Sequence, residues 1–218
     1  VFRRARGLVG VTKEIITGKD VKKYSKPSIS IPNTIHLSSF PLLKQVKENA
    51  NGLFFIGSPG QHWHGVDIID KLALLLPDFH FHIVGESGVN RNNITYHGFL
   101  GQKEYLEVLS QCTACFGTLG LFRKNMTEAS PLKVREYLAY GYPVVIGYND
   151  SSFENLPDFI LKLDFETGDI ELNARKIQDF VRRNRDRIVQ REEISYIDAN
   201  QQEVYRLSFF KSLLSSDN

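Results

Sequence analysis

Three residue types are scarce in this chain of 218 residues: methionine (Met126 only), tryptophan (Trp63 only) and cysteine (Cys112 and Cys115). Two thiols are too few for a disulfide scaffold and point to a reducing compartment. Their C-x-x-C spacing lacks the second pair that a four-ligand zinc site needs, so both read as plain thiols near a helix–strand junction. No apolar run approaches the roughly 20 residues that cross a membrane; the densest is "LALLLP". The N-terminus carries no signal-like pattern. A net charge of +2 is too small to imply nucleic acid or a membrane surface. His62 and His64 flank Trp63 without an evident third ligand, so no metal is expected. "GESGVN" lacks the full G-x-G-x-x-G, which leaves dinucleotide binding unsupported. With Val1 first and Met126 the sole methionine, the sequence reads as a piece of a longer protein.

What is present is ample core material, at 42% hydrophobic and 24% charged residues. "GLVGV" reads as a short strand, "KEII" as a brief helix or turn, and "SISIPN" as a strand stopped by Pro32 and Asn33. A polar segment with Lys44, Lys47 and Glu48 follows. Strands and helices then alternate: "GLFFIGS", the helical spacing of Val66, Ile68, Ile69, Leu72, Leu75 and Leu76, "FHFHIVG", "ITYHG", "GQKEYLEVLSQC", "TACFGTL", "PLKVREYLAYG" and "PVVIG". This predicts an α/β fold, a Rossmann-like parallel sheet with helices on both faces. Two charged helices, "ELNARKIQDFVRRNRDRIVQ" and "ANQQEVYRLSFFKSLL", close the chain, and residues 182–193 read as a solvated face. His80 and His82 share one face of their strand and read as hydrogen-bonded histidines, not ligands.

In open α/β sheets, ligands sit beyond the carboxyl ends of the strands. That selects the Gly57–Gly65 loop, the Gly85–Asn90 loop, the His97–Gly101 turn and the segment entering Ser130. Ser130 suits an N-cap, Pro131 a first helical position and Gly141 a position just past the end, with Leu132 and Leu138 toward the sheet. The first-turn N–H groups of such a helix attract anions. Lys133 in that turn opposes the helix dipole unless an anion lies between them. Glu136, three residues on, is near the same face and could accept hydroxyl hydrogen bonds. Phosphate, lysine and a hydroxyl-binding carboxylate together describe a nucleotide. The same two residues would also serve as a surface pair contributing a few tenths of a kcal/mol.

"EASPLKVREYLAYGYPVV" (128–145), with seven residues between Glu128 and Glu136, resembles the signature of retaining glycosyltransferases of family 4 and their relatives. "ISIPN", "GLVGVTKEI", "FFIGSPGQHWHGVDIIDKLALLLPDFHFHIVGESG" and "ITYHGFLGQKEYLEVLSQCTACFGT" resemble other segments of that family in the same order, over roughly residues 7–150. The resemblance implies the C-terminal, nucleotide-sugar-binding half of a two-domain GT-B fold. Residues 1–25 would then be a remnant of, or linker from, an N-terminal acceptor domain; 26–200 the Rossmann-like domain; and 201–218 a helix returning toward the missing domain.

By the same resemblance Glu136 would bind ribose hydroxyls and Glu128 the donor sugar, and Lys133 would bind the diphosphate. The Ser130, Pro131 and Leu132 backbone would line the diphosphate or sugar. Gly57, Ser58, His64 and Gly85 would form the phosphate-side loops, and His97 and Phe99 would pass the base. Glu128 and Lys133 are the catalytic candidates. The implied partners are a nucleotide-diphosphate sugar as substrate, with no cofactor and no metal, and an acceptor glycan or lipid-linked sugar held by the missing domain. Nucleic acid is not implied, and membrane association is at most peripheral. The implied setting is bacterial surface polysaccharide or glycoconjugate synthesis, cytoplasmic or at the inner face of the membrane, with the isolated piece inactive. The family commonly has arginine and lysine where Ser58 and His64 stand here. Either Lys133, with Arg123 or Lys124, supplies the missing charge, or diphosphate binding is weak. A non-catalytic scaffold of the same fold, or a sugar-nucleotide epimerase, are the rival readings.

Overall fold

A computed structural model describes residues 2–44 and 50–215. Lys47 and Glu48 of the expected polar segment, and residues 216–218 of the expected last helix, lie outside the described residues. The chain begins with strand β1 (Leu8–Gly10), helices α1 (Lys13–Thr17) and α2 (Lys19–Lys22), and strand β2 (Ser28–Ser30). There follow β3 (Gly52–Ile56), α3 (Val66–Leu75), β4 (His80–Val84), β5 (Ile94–Gly98), α4 (Gln102–Leu109) and β6 (Cys112–Phe116). The rest is β7 (Glu128–Ala129), α5 (Leu132–Ala139), β8 (Val144–Ile146), β9 (Asn149–Asp150), β10 (Ile160–Lys162), α6 (Ile170–Arg183) and α7 (Ala199–Ser215).

The main sheet has six strands in the order β10-β8-β6-β3-β4-β5, and every pairing is parallel. The chain starts in the middle, at β3, winds to one edge and then returns to the other. The strand order therefore reverses between β3 and β6, the point at which doubly wound sheets open a crevice. Side chains alternate across the sheet. Phe54 and Val84 pack with Leu109, Val134, Tyr137 and Leu138 on the α4–α5 side. Leu53, Phe55, Phe81 and Ile83 pack with Ile69, Leu72, Ile177 and Phe180 on the α3–α6 side. Burial on both faces explains why the strands read as nearly continuous apolar runs. The expected fold class holds.

Four local expectations do not. Helix α5 begins at Leu132 with Pro131, not Ser130, at the cap position, and no side chain caps it there. The Ser130 hydroxyl instead accepts from the Asn33 N–H (2.8 Å) and from Arg135 (2.8 Å). A buried guanidinium is a stronger donor than a helix amide and draws that oxygen inward. Leu132 is 51% exposed and does not face the sheet, whereas Leu138 is fully buried. The penultimate helix stops at Arg183, short of the charged run to Gln190. Buried Lys44 donates to the Asn184 and Arg187 carbonyls there (3.0 and 2.5 Å), a cap brought from 140 residues away.

Outside the main sheet, β1 pairs with β2 and β7 with β9. A Cβ on Gly7 would lie 2.6 Å from Leu213 and 2.8 Å from Phe209, so α7 packs on the start of β1. Among the described residues no helix is long and apolar enough to cross a membrane.

Candidate functional site

The carboxyl ends of β3, β4 and β5 are joined by their backbones. Gly57 N–H donates to the Val84 carbonyl (3.0 Å) and Gly85 N–H to that of Gly98 (2.7 Å). Gly85 has φ +82°, and a Cβ there would stand 1.9 Å from the Gly57 oxygen. Only glycine fits this approach. The loop after β3 coils into a 3-10 turn at His62–His64 and opens α3 through Gly65 at φ 77°. The segment after β6 holds that turn. Leu119 and Gly120 N–H donate to the His64 and Trp63 carbonyls, both at 3.1 Å. Arg123 donates to the His62 carbonyl (2.7 Å) and grips Asp67 with both terminal nitrogens. The two sides of the strand-order reversal are thus stitched together. Beside them opens a cleft of about 320 Å³, lined by Gly60, Gln61, His62, Val66, Asp67, Glu86 and Arg123.

Lys133 comes to this place from the first turn of α5. Its ammonium is buried without a hydrogen-bond partner, 4.3 Å from the centre of the Phe55 ring. Burial lowers its pKa to about 7, against the opposing pull of Glu86. His64 is its neighbour. The His64 Nδ1 is likewise buried and unpartnered, and a Cβ on Gly57 would meet it at 2.7 Å. Burial first, then Lys133 and Lys124, lower the His64 pKa to about 4. His64 is therefore neutral at pH 7 and does not replace a lysine as a charge. The two other candidate cations are engaged: Arg123 with Asp67, and Lys124 over the Trp63 ring at 3.3 Å. Ser58 is exposed on the loop.

Glu136, one turn into α5, is half-buried, and burial raises its pKa. It lies near Tyr105 of α4 and Tyr137 of its own helix. Among the described residues its carboxylate receives no hydrogen bond. The Leu132 and Lys133 N–H groups open the helix and have no intrahelical acceptor. At the end of β5, Phe99 is 92% exposed. His97 pairs with His82 (Nε2 to Nδ1, 3.1 Å) in a near-parallel ring stack, and His80 pairs with Thr95 (2.9 Å). The hydrogen-bonded reading of His80 and His82 holds.

The structure brings Gly57, His64, Gly85 and Lys133 into one wall, with Glu136 a turn deeper along α5. Glu128 and Ser130 are engaged by other segments of the chain. One Glu128 carboxylate oxygen accepts the Glu14 N–H at 3.0 Å, and Ser130 belongs to a buried knot around Arg135. Arg135 is fully buried. It bonds both oxygens of Asp150 (2.8 and 2.6 Å), the Ser130 hydroxyl and the Asn33 carbonyl (3.0 Å). Sequence reasoning missed Arg135, Asp150 and Glu14. An arginine followed by Glu136 and two residues after Lys133 gives no sign in the sequence that it is interior.

The histidines carry a pH signature. Burial lowers the pKa of His82 to about 4, as it does for His64. Between the ordinary value of 6.5 and about 4, the unfolded chain binds more protons than the folded one. Stability is therefore expected to fall as pH drops from 6.5 to 4. Urea unfolding at half-unit pH steps measures the slope, and His82→Asn should flatten part of it. An identical slope in that variant would remove His82 from the account.

No protein-family model matches the sequence, and no curated protein is significantly similar to it. Solved structures are similar in fold. TarM matches with a TM-score of 0.70 at 15% identity, covering 96% of this chain and 44% of TarM. Sucrose-phosphate synthase from Thermosynechococcus elongatus matches at 0.69 and 13% identity, covering 99% of this chain and 60% of that one. HepE from Anabaena, in complex with UDP and glucose, matches at 0.56 and 14% identity, covering 97% and 62%. The chain thus spans 44–62% of the length of these three. The molecule is built on a six-stranded parallel sheet wrapped by helices, with the Rossmann-like architecture of one half of a GT-B fold.

Proposed function

We propose that this chain is the donor-binding half of a retaining, family 4-like glycosyltransferase that takes a nucleotide-diphosphate sugar. One observation carries the reading: Lys133, buried and unpartnered at the start of α5, beside the strand-order reversal. A buried ammonium without an acceptor is costly unless an anion completes it. A diphosphate there would meet the ammonium and the free first-turn amides together. Negative charge develops on the diphosphate as the sugar leaves, and both groups oppose it without rearranging. Glu136, with no hydrogen-bond donor among the described residues, is suited to ribose hydroxyls. Phe99, almost wholly exposed, is suited to the face of a base. Glu128 is assigned to the donor sugar and the Gly57, Ser58, His64 and Gly85 loops to the phosphate side. No metal is assigned, because a lysine and a helix terminus supply the positive charge.

The acceptor, a glycan or lipid-linked sugar, is assigned to the other half. Residues 1–25 and α7 are its proposed junction. The β1–β2 pair and the packing of α7 on Gly7 form a unit beside the main sheet. Val204, Leu207, Phe210 and Leu214 leave an apolar stripe on α7 in solvent. A role in bacterial surface polysaccharide or glycoconjugate synthesis in the cytoplasm is part of the same proposal. A scaffold without chemistry is the second reading, and neutral His64 beside uncharged Ser58 is the observation that favours it.

A panel of UDP, GDP and ADP, each with the matching nucleotide hexose, tests the reading by thermal shift. At least one diphosphate should raise the Tm of this chain, and a protein that also carries the acceptor half should hydrolyse or transfer the hexose form. No shift with any of them overturns the site. Binding without turnover in that longer protein favours the scaffold.

A further inference from the structure

Glu14 and Glu128 are 114 residues apart in sequence and exchange hydrogen bonds in both directions. Glu14 N–H donates to Glu128 Oε2 (3.0 Å). The Glu14 carboxylate accepts from the Thr127 N–H (3.0 Å) and the Glu128 N–H (3.0 Å). Next to this exchange the Ser151 hydroxyl donates to the Val11 carbonyl (2.9 Å), and Thr12 caps α1 by accepting from Ile15 N–H (3.1 Å). Glu128 thus accepts a first-turn N–H of α1 that Thr12 does not cap. The arrangement fixes one oxygen of Glu128. Among the described residues, Oε1 receives no protein hydrogen bond.

We propose that Glu14 is a positioning residue for Glu128, and through it for the donor sugar; this rests on the nucleotide-sugar reading above. The Glu14 side chain holds the backbone of Thr127 and Glu128 as they enter β7. Its amide holds Oε2, which leaves Oε1 to accept a sugar hydroxyl. A carboxylate gripped at one oxygen and from behind has a single orientation, and binding a hydroxyl then needs no reordering of the side chain. The nucleotide is held elsewhere, by Lys133 and Glu136, so disturbing Glu14 should act on the sugar alone. A helix cap with no bearing on ligand would act on neither or on both.

The experiment is calorimetric titration of the purified protein with UDP and UDP-glucose, and with GDP and GDP-mannose, in wild type, Glu14→Ala and Glu14→Gln. In wild type the hexose form should bind tighter than the bare diphosphate. Glu14→Ala should weaken the hexose form about tenfold, as expected for one misplaced hydrogen bond to a charged group. The bare diphosphate should change by less than about twofold. Glu14→Gln, which keeps an acceptor oxygen, should restore most of the difference. Equal weakening of both ligands, or of neither, overturns the role of Glu14 and leaves the nucleotide site standing. If no nucleotide binds wild type, both readings fall together.

Discussion

Arg135→Ala is expected to destabilise the fold by roughly 3–5 kcal/mol, the usual effect of removing one partner from a buried ion pair. The substitution strands the Asp150 carboxylate, which is as fully buried as the arginine itself. It also removes the donors on the Ser130 hydroxyl and the Asn33 carbonyl. Three chain segments meet at this guanidinium: the end of the β2 strand, the turn into α5, and β9. Lysine cannot replace it, because the pair is bidentate and a point charge lacks the planar fork. Replacing both partners, as in Arg135→Met with Asp150→Leu, should recover much of the loss, since no lone charge remains. Urea midpoints of the two variants measure this. A loss below about 1 kcal/mol in Arg135→Ala would show that the pair is not interior in solution.

Lys133→Met is expected to act in opposite directions on binding and on stability. Nucleotide diphosphate affinity should fall about 100-fold, equivalent to ~2.7 kcal/mol, with the loss of a charge-assisted contact. The ligand-free protein should become more stable by roughly 1–3 kcal/mol near pH 6, where a buried, unpartnered ammonium is replaced by an apolar chain of similar length. The pH dependence follows from the lowered value of about 7 against an ordinary 10.5. Between these two values the unfolded chain binds more protons, so wild-type stability rises with pH across that window. Below pH 7 the full burden of the buried charge is present. Methionine should remove the Lys133 share of that slope and leave the share of buried Lys44, whose pKa burial lowers to about 8. A bound diphosphate would raise the Lys133 pKa, so UDP or GDP affinity should decline as pH rises past 7. Melting curves from pH 6 to 10, with and without nucleotide, test both. Unchanged affinity in Lys133→Met would dissociate the lysine from the ligand.

The two variants differ in what a sequence reader could have anticipated. Lys133 announced itself, because a cation in the first turn of a helix is locally unfavourable and calls for an anion. Arg135, two residues on, did not. Its value depends on Asp150, Ser130 and Asn33, and no spacing rule joins positions 33, 130, 135 and 150. The same limit explains the misreading of Ser130. A serine before Pro-Leu-Lys is a reasonable cap by local preference, until a buried guanidinium competes for its oxygen. It also explains Glu14, whose partner lies on a strand of two residues, too short to leave a periodic pattern. His64 was legible as a residue but not as a charge: only its burial beside Lys133 sets it to neutral.

By itself the sequence determined the parallel α/β architecture, the loops at the strand ends and a helix with Lys133 in its first turn. These rest on period, turn residues and helix-end chemistry, which act over a few residues and are written locally. Only the tertiary structure decided which charges are buried, which oxygens are already engaged and that the Lys133 ammonium is buried without a hydrogen-bond partner. Those properties arise from desolvation and from contacts between segments a hundred residues apart, and a linear string of residues records neither.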